Sequence, residues 1–242
     1  DRLSPLTPMP LTEWMPVLTG EGIEQWVWVA NHSLLYEGGE RPPDFDVDVT
    51  VRDAEGHVRH HGTHGIPLGS ALHLNVSRFL PLSEPGQGGP RLGIGSVTIR
   101  RRARRPGFRG TIRPQIEIIA PAGSCAVHSQ APGGLPEQWF TGLYRPDADR
   151  LFLSFVNASA KAMPVELAYP FEFEEQAAEA LPVQKMVVPP HGARLHEIVL
   201  PSPYAARFLN RLFSVRWRSS GIRKVHVLCA TPNLDRFSID HL

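Results

Sequence analysis

The sequence predicts an all-β protein made of two tandem, duplicated immunoglobulin-like β-sandwich domains. Three observations predict it. Chain breakers are frequent, with 24 prolines and 21 glycines spread through 242 residues. That is well above the roughly 12% of average usage, and it leaves few windows long enough for a helix. Between the breakers lie short apolar or alternating runs of strand type. Several of these runs recur, in the same order, in the second half of the chain.

The recurrence is the most specific of the three. WVWVANHS (26–33) is answered by FLSFVNAS (152–159), each an apolar strand that ends in Asn-x-Ser. Asn suits such a strand end because it tolerates turn geometry and bonds nearby backbone. Pro67-Leu-Gly-Ser-Ala-Leu-His73 is answered by Pro190-His-Gly-Ala-Arg-Leu-His196, both Pro-x-Gly-x-x-x-His. Gly95-Ser-Val-Thr-Ile-Arg100 parallels Phe213-Ser-Val-Arg-Trp-Arg218. Ile112-Arg113 with the apolar run after it parallels Ile222-Arg223 with its own. The offset between copies shrinks steadily along the chain, as small loop deletions would make it.

Taken in order, the first copy offers strands at 24–31, 46–52, 58–64, 70–76, 96–101, 115–120 and 125–129. The second offers 151–157, 165–172, 184–188, 193–200, 213–218, 224–230 and 237–240. Asp46-Val-Asp-Val-Thr-Val-Arg52 alternates strictly and marks a half-buried strand. About seven short strands per copy suits a sandwich. The helical candidates are short: 174–180 by propensity and 203–212, opened by Pro203. The Gly/Pro-rich stretch 131–139 reads as a linker between a first domain, 1–130, and a second, 140–242. The length suits two domains of roughly 100–150 residues.

From Phe152 onward the chain resembles the small bacterial sensory rhodopsin transducer family. The resemblance rests on FVNAS (155–159), VVPPHGARLHEI (187–198) and VHVLCATPNLDR (225–236). It implies a β-sandwich that works by binding partners rather than by catalysis, and it carries no residue-level site.

Composition narrows the function classes. Hydrophobic residues reach 42% and charged ones 20%, enough apolar material for two cores. With 25 basic against 24 acidic residues the net charge is +1, which disfavours a general nucleic-acid binder. No run of about 20 apolar residues exists, so no membrane-inserting helix is expected. Two cysteines, Cys125 and Cys229, read as buried thiols of a reducing, cytoplasmic setting. The sequence starts at Asp1 rather than Met, so the lack of a leader is uninformative.

Three groups of residues are candidates for chemistry. His57, His60, His61 and His64 crowd eight residues of a chain with 11 histidines. On a strand His60 and His64 share a face while His61 points the other way. With His73 approaching from the next strand, His60, His64 and His73 form a ligand set for a divalent transition metal. The cupin pattern of His-x-His followed by Glu is absent, and a hairpin carrying solvated histidines is the competing reading. Arg100, Arg101, Arg102, Arg104, Arg105 and Arg109 form a basic run suited to phosphate or carboxylate groups. Of these, Arg100, Arg102, Arg104 and Arg105 are the anion-binding candidates. Their competing role is contact with the acidic residues Glu172, Glu174, Glu175 and Glu179. The repeat-equivalent pair His73 and His196, with His128 and His241, reads mainly as structural.

Nucleophilic catalysis lacks a motif, since Cys125 and Cys229 sit in apolar strands and no nucleophile elbow or phosphate loop is present. Asn31, Asn75 and Asn157 each open an Asn-x-Ser sequence. The expected function is therefore a non-enzymatic binding or accessory module that presents loops or edge strands to a partner protein, with homo-oligomerisation through open edges as one route. Two alternatives stand beside it. One is a metal-binding protein or metal-dependent enzyme built on residues 57–73. The other is an anion or carbohydrate binder that uses the arginine run with Trp26, Trp28 and Trp139.

Overall fold

The computed structural model describes residues 12–31, 44–82, 91–103, 114–129, 132–171 and 183–242. Strands β1 to β8 are Thr12–Thr19, Glu24–Ala30, Phe45–Arg52, Val58–Ile66, Ala71–Asn75, Gly93–Ala103, Gln115–Ala120 and Gly123–His128. Strands β9 to β16 are Glu137–Leu143, Arg150–Asn157, Met163–Phe171, Val183–Val188, Ala193–Glu197, Leu212–Ser219, Arg223–Ala230 and Phe237–His241. One short helix, α1 (Tyr204–Phe208), precedes β14.

The strands form four antiparallel sheets, ordered β1-β6-β3-β4, β5-β2-β7-β8, β9-β14-β11-β12 and β13-β10-β15-β16. Adding eight to every strand number of the first pair of sheets yields the second pair. The tandem duplication read from four motifs is thus present as one topology used twice. Its connections are not those of an immunoglobulin constant domain, whose first strand pairs with its second; here β1 pairs with β6.

The repeated Asn-x-Ser has a structural reason. Asn31 and Asn157 are both buried at the ends of equivalent strands β2 and β10. Asn31 Nδ2 donates to the Ile66 carbonyl at 3.0 Å. Asn157 Nδ2 donates to the carbonyls of Lys161 at 2.7 Å and Pro189 at 2.9 Å. Each amide satisfies backbone groups that the end of the ladder leaves over. Neither side chain is presented for glycosylation.

Two strands lay outside the sequence expectation, and they are equivalent, β1 and β9. β1 carries Pro16 in its middle, which an edge strand tolerates. Its residues after Thr12 are all buried, so it shows no alternation. β9 begins within the stretch expected to be a linker, and Gly133 already bridges to Arg223, so residues 133–139 are tied into the second sandwich. The helix expected at 203–212 is only α1, because β14 starts at Leu212. The expected helix at 174–180 lies outside the described residues.

Each sandwich has its own core. The first is built from residues such as Met15, Val27, Val49, Val97 and Ile116, the second from Phe155, Leu167, Val215, Trp217 and Val225. A third apolar cluster belongs to both: Leu18, Ile23 and Ile118 of the first half pack with Phe152, Leu228 and Phe237 of the second. The edge strands β1 and β8 both lie against the β13-β10-β15-β16 sheet. That sheet is buried on both faces along Arg223–His226, as the pattern of β15 shows. A sandwich edge that would otherwise be open is closed by the neighbouring domain.

Backbone contacts lock this joint. The Ala193 amide donates to the Ala54 carbonyl at 3.0 Å, and Arg194 bonds the same carbonyl at 3.1 Å while pairing with Glu55 at 2.9 Å. A Cβ on Gly56 would stand 2.1 Å from the Pro190 carbonyl oxygen, and one on Gly192 would stand 2.4 Å from that of Ala54. Gly56 also has φ +88°, a conformation that favours glycine. Trp14 stacks on His191 across the joint, with ring centroids 5.5 Å apart, and Arg52 lies over the same indole.

Candidate functional site

The outer face of the β5-β2-β7-β8 sheet carries an aromatic stack. Trp26 and Trp28 are two apart on β2 and so share a face. Val27 and Val29, between and beyond them, enter the core. On the neighbouring strand β5, His73 stands directly opposite Trp28. Leu72 and Leu74 on either side of it pack inward, so period two turns His73 outward. Its ring lies 3.5 Å from Trp28 at an interplanar angle of 23°, and 4.2 Å from Trp26 at 31°.

Two carboxylates hold the indoles in place. Trp26 Nε1 donates to Glu24 Oε2 at 3.0 Å, and Trp28 Nε1 donates to Glu117 Oε2 at 3.1 Å. Glu24 comes from the same strand and Glu117 from β7. The remaining carboxylate oxygens and the exposed Gln115 surround the rings with hydrogen-bonding groups. Trp28 is 37% exposed, as is Ile119 on the same sheet. The result is an open face with oriented aromatic rings and a polar rim. Glu24 was legible as a residue two before Trp26 on the same face; Glu117 needed the β2–β7 pairing.

The histidine group divides between two sheets. β4 pairs with β3 so that His60, Gly62 and His64 lie opposite Val51, Val49 and Val47. His60 stacks on Phe79 at 3.8 Å and 8°. Burial lowers the His60 pKa, with smaller contributions from His64, Arg78 and His61. His61 points to the opposite face, where its Nδ1 lies 3.0 Å from Thr50 Oγ1. His57 pairs with Asp53 at 3.3 Å. His60 and His64 are therefore brought together as expected, whereas His73 is not with them. β5 belongs to the other sheet, and His73 is occupied by the two indoles. No group of three or more metal-ligating side chains forms among the described residues.

The arginine run lies on β6, and Arg104 and Arg105, with Arg109, fall outside the described residues. Arg102 pairs with Asp48 at 2.5 Å, and Thr63 donates to the other oxygen of that carboxylate at 2.7 Å. Despite burial, these partners hold the Asp48 pKa below the usual carboxylate range. Arg100 sits opposite Asp48 in the β3–β6 register. Arg101 turns inward with its guanidinium over Phe45. Arg102 thus has its carboxylate within its own sheet, and the acidic residues 172–179 expected as its counterpart lie outside the described residues. The arginines, Trp26 with Trp28, and Trp139 stand on three different sheets.

The cysteines are unpaired, and burial is the main cause that pushes both thiols up, Cys125 to about 11. A thiol so placed is a poor nucleophile.

No family model matches this chain, and no curated protein matches it. Among solved structures it is similar to the tandem CBM22-1-CBM22-2 domain of Paenibacillus barcinonensis Xyn10C, with 11% identity and a TM-score of 0.24 over 95% of this chain and 79% of that one. It is also similar to a calcium-binding mutant of Bacteroides uniformis beta-glucuronidase 2, at 8% identity and TM-score 0.20 over 95% of this chain and 26% of that one. The exo-chitosanase CsxA of Amycolatopsis orientalis gives 9% identity and TM-score 0.18 over 94% and 25%. This chain spans about a quarter of the length of each of the last two.

Proposed function

We propose that this chain is a non-catalytic binding module whose ligand is a carbohydrate, held on the outer face of the β5-β2-β7-β8 sheet. The observation that carries the reading is the Trp26–His73–Trp28 stack with its two carboxylates. A pyranose presents an apolar C–H face and a ring of hydroxyls. Aromatic rings offer the apolar surface, and carboxylates beside them accept from the hydroxyls. Rings that are already oriented lose little side-chain freedom on binding. A partner protein would be expected to meet a more continuous apolar surface than this rim of Glu24, Glu117 and Gln115 provides.

Gel retardation against a panel of neutral and acidic polysaccharides tests this. Retardation by at least one neutral glycan, lost in Trp28→Ala and insensitive to salt, is the expected result. Salt-sensitive retardation by acidic glycans alone would transfer the site to the arginines. Retention of binding in both Trp26→Ala and Trp28→Ala would overturn the assignment to this face.

A second reading, a protein partner, is favoured by a separate patch. Leu143 and Leu212 face each other across β9 and β14, and with Trp139 they are exposed at 43%, 66% and 54%. Such a patch on an edge strand suits association with another chain. Leu212→Asp is expected to lower any self-association measured by light scattering, and unchanged mass in both forms would remove the support for this reading.

A further inference from the structure

The β4 edge of the first sandwich holds a pair of imidazoles that the carbohydrate reading does not use. His60 Nε2 and His64 Nε2 are both buried, and neither has a hydrogen-bond partner among the described residues. Between them lies Gly62. A Cβ at that position would stand 3.1 Å from His60 Nε2 and 3.2 Å from His64 Nε2. The glycine therefore leaves a notch onto which both ring nitrogens converge. Buried polar atoms without partners are costly and call for an explanation. Stacking on Phe79 fixes the His60 ring, so the convergence does not depend on a free rotor.

We infer that the His60–Gly62–His64 notch is a binding site for a late first-row divalent transition-metal ion, copper, nickel or zinc, held by the two imidazole Nε2 atoms. Imidazole suits these ions, and an ion held at the usual metal–nitrogen distance of about 2.0–2.1 Å would lie between the two ring nitrogens, above the point where a Cβ on Gly62 would crowd them. Arg78, which lies over the same Phe79 ring, places an opposing positive charge nearby and limits affinity.

Titration of the full chain with copper(II), nickel(II) and zinc(II) salts, followed by calorimetry and, for copper, by electron paramagnetic resonance, tests the site. One ion per chain, with two nitrogen couplings in the copper spectrum, is expected. His60→Ala, His64→Ala and Gly62→Ala should each weaken binding about tenfold or more. Gly62→Ala keeps both imidazoles and only fills the notch, so its loss reports the geometry. His61→Ala, on the opposite face, should change nothing, and Arg78→Gln should tighten binding. Circular dichroism of each variant separates loss of the site from loss of the fold, and His60→Gln or His64→Gln serves where the Ala variant fails to fold. Absence of binding to the folded chain by all three ions, or an equal loss in folded His61→Ala, overturns the site. Glycan retardation is unaffected by either outcome.

Discussion

His73 and His196 close the same Pro-x-Gly pattern in equivalent strands, yet they occupy opposite faces of their sheets. His73 lies opposite Trp28 on the outer face. His196 lies opposite the core residue Leu153, and its Nε2 is 3.0 Å from Tyr169 Oη. The cause is a slip of one residue after the glycine. Ala71 pairs with Ala30, two residues after Gly69, whereas Ala193 pairs with Val156, one residue after Gly192. With a side-chain period of two, a single residue inverts every side chain that follows.

The two histidines should therefore respond differently to substitution. His196→Ala removes a half-buried partner of the buried Tyr169 and is expected to lower stability by about 1–3 kcal/mol. His73→Ala should cost less than about 1 kcal/mol while weakening glycan retardation. Urea unfolding of both variants measures the contrast, and equal losses would contradict the opposite placement.

The joint between halves depends on two glycines. Gly56→Ala places a Cβ against the Pro190 carbonyl, and Gly192→Ala places one against that of Ala54. Backbone on each side cannot yield cheaply, so each change should separate the halves and cost more than about 3 kcal/mol. Calorimetry is expected to show one transition for the parent chain and two for either variant.

The same joint sets a pH dependence. His226 is fully buried and, among the described residues, has no hydrogen-bond partner for either ring nitrogen. Burial first, then Lys224 and His241, lowers its pKa to about 3. Between about 3 and 6.5 the unfolded chain binds a proton there that the folded chain does not. Stability should therefore rise with pH across that window and be lost as pH falls through it. Glu13, raised by burial against the opposing Ser129 hydroxyl and Lys224 ammonium, acts in the opposite sense over the carboxylate range. Lys224, lowered to about 8 by burial despite Glu13, titrates above this window. Denaturant midpoints at pH 4.5 and 7.5 should differ less in His226→Leu than in the parent; an unchanged difference would assign the dependence elsewhere.

The thiols provide a probe of folding. Cys125, pushed up to about 11, and Cys229, also raised, should react slowly with a disulfide reagent at pH 7.5 in the native chain. Both should react at the rate of a free thiol once unfolded. Fast native labelling of either would mean that its strand opens readily.

The sequence by itself determined the strand content, the duplication and the pairing of His60 with His64. Those rest on local rules, namely breaker frequency, period two and repeated strand ends. The glycine between the histidines was also in plain view. Only the tertiary structure decided which sheet each strand joined. That choice parted His73 from His60 and His64, set Arg102 against Asp48, and brought Glu117 to Trp28. It also revealed β1 and β9, which local pattern could not show: β1 is buried on both faces and interrupted by Pro16, and β9 begins inside a Gly/Pro-rich stretch. The physical reason is that alternation reports a face relative to one core, whereas sheet order, register and the joint between domains depend on contacts between residues far apart in the chain.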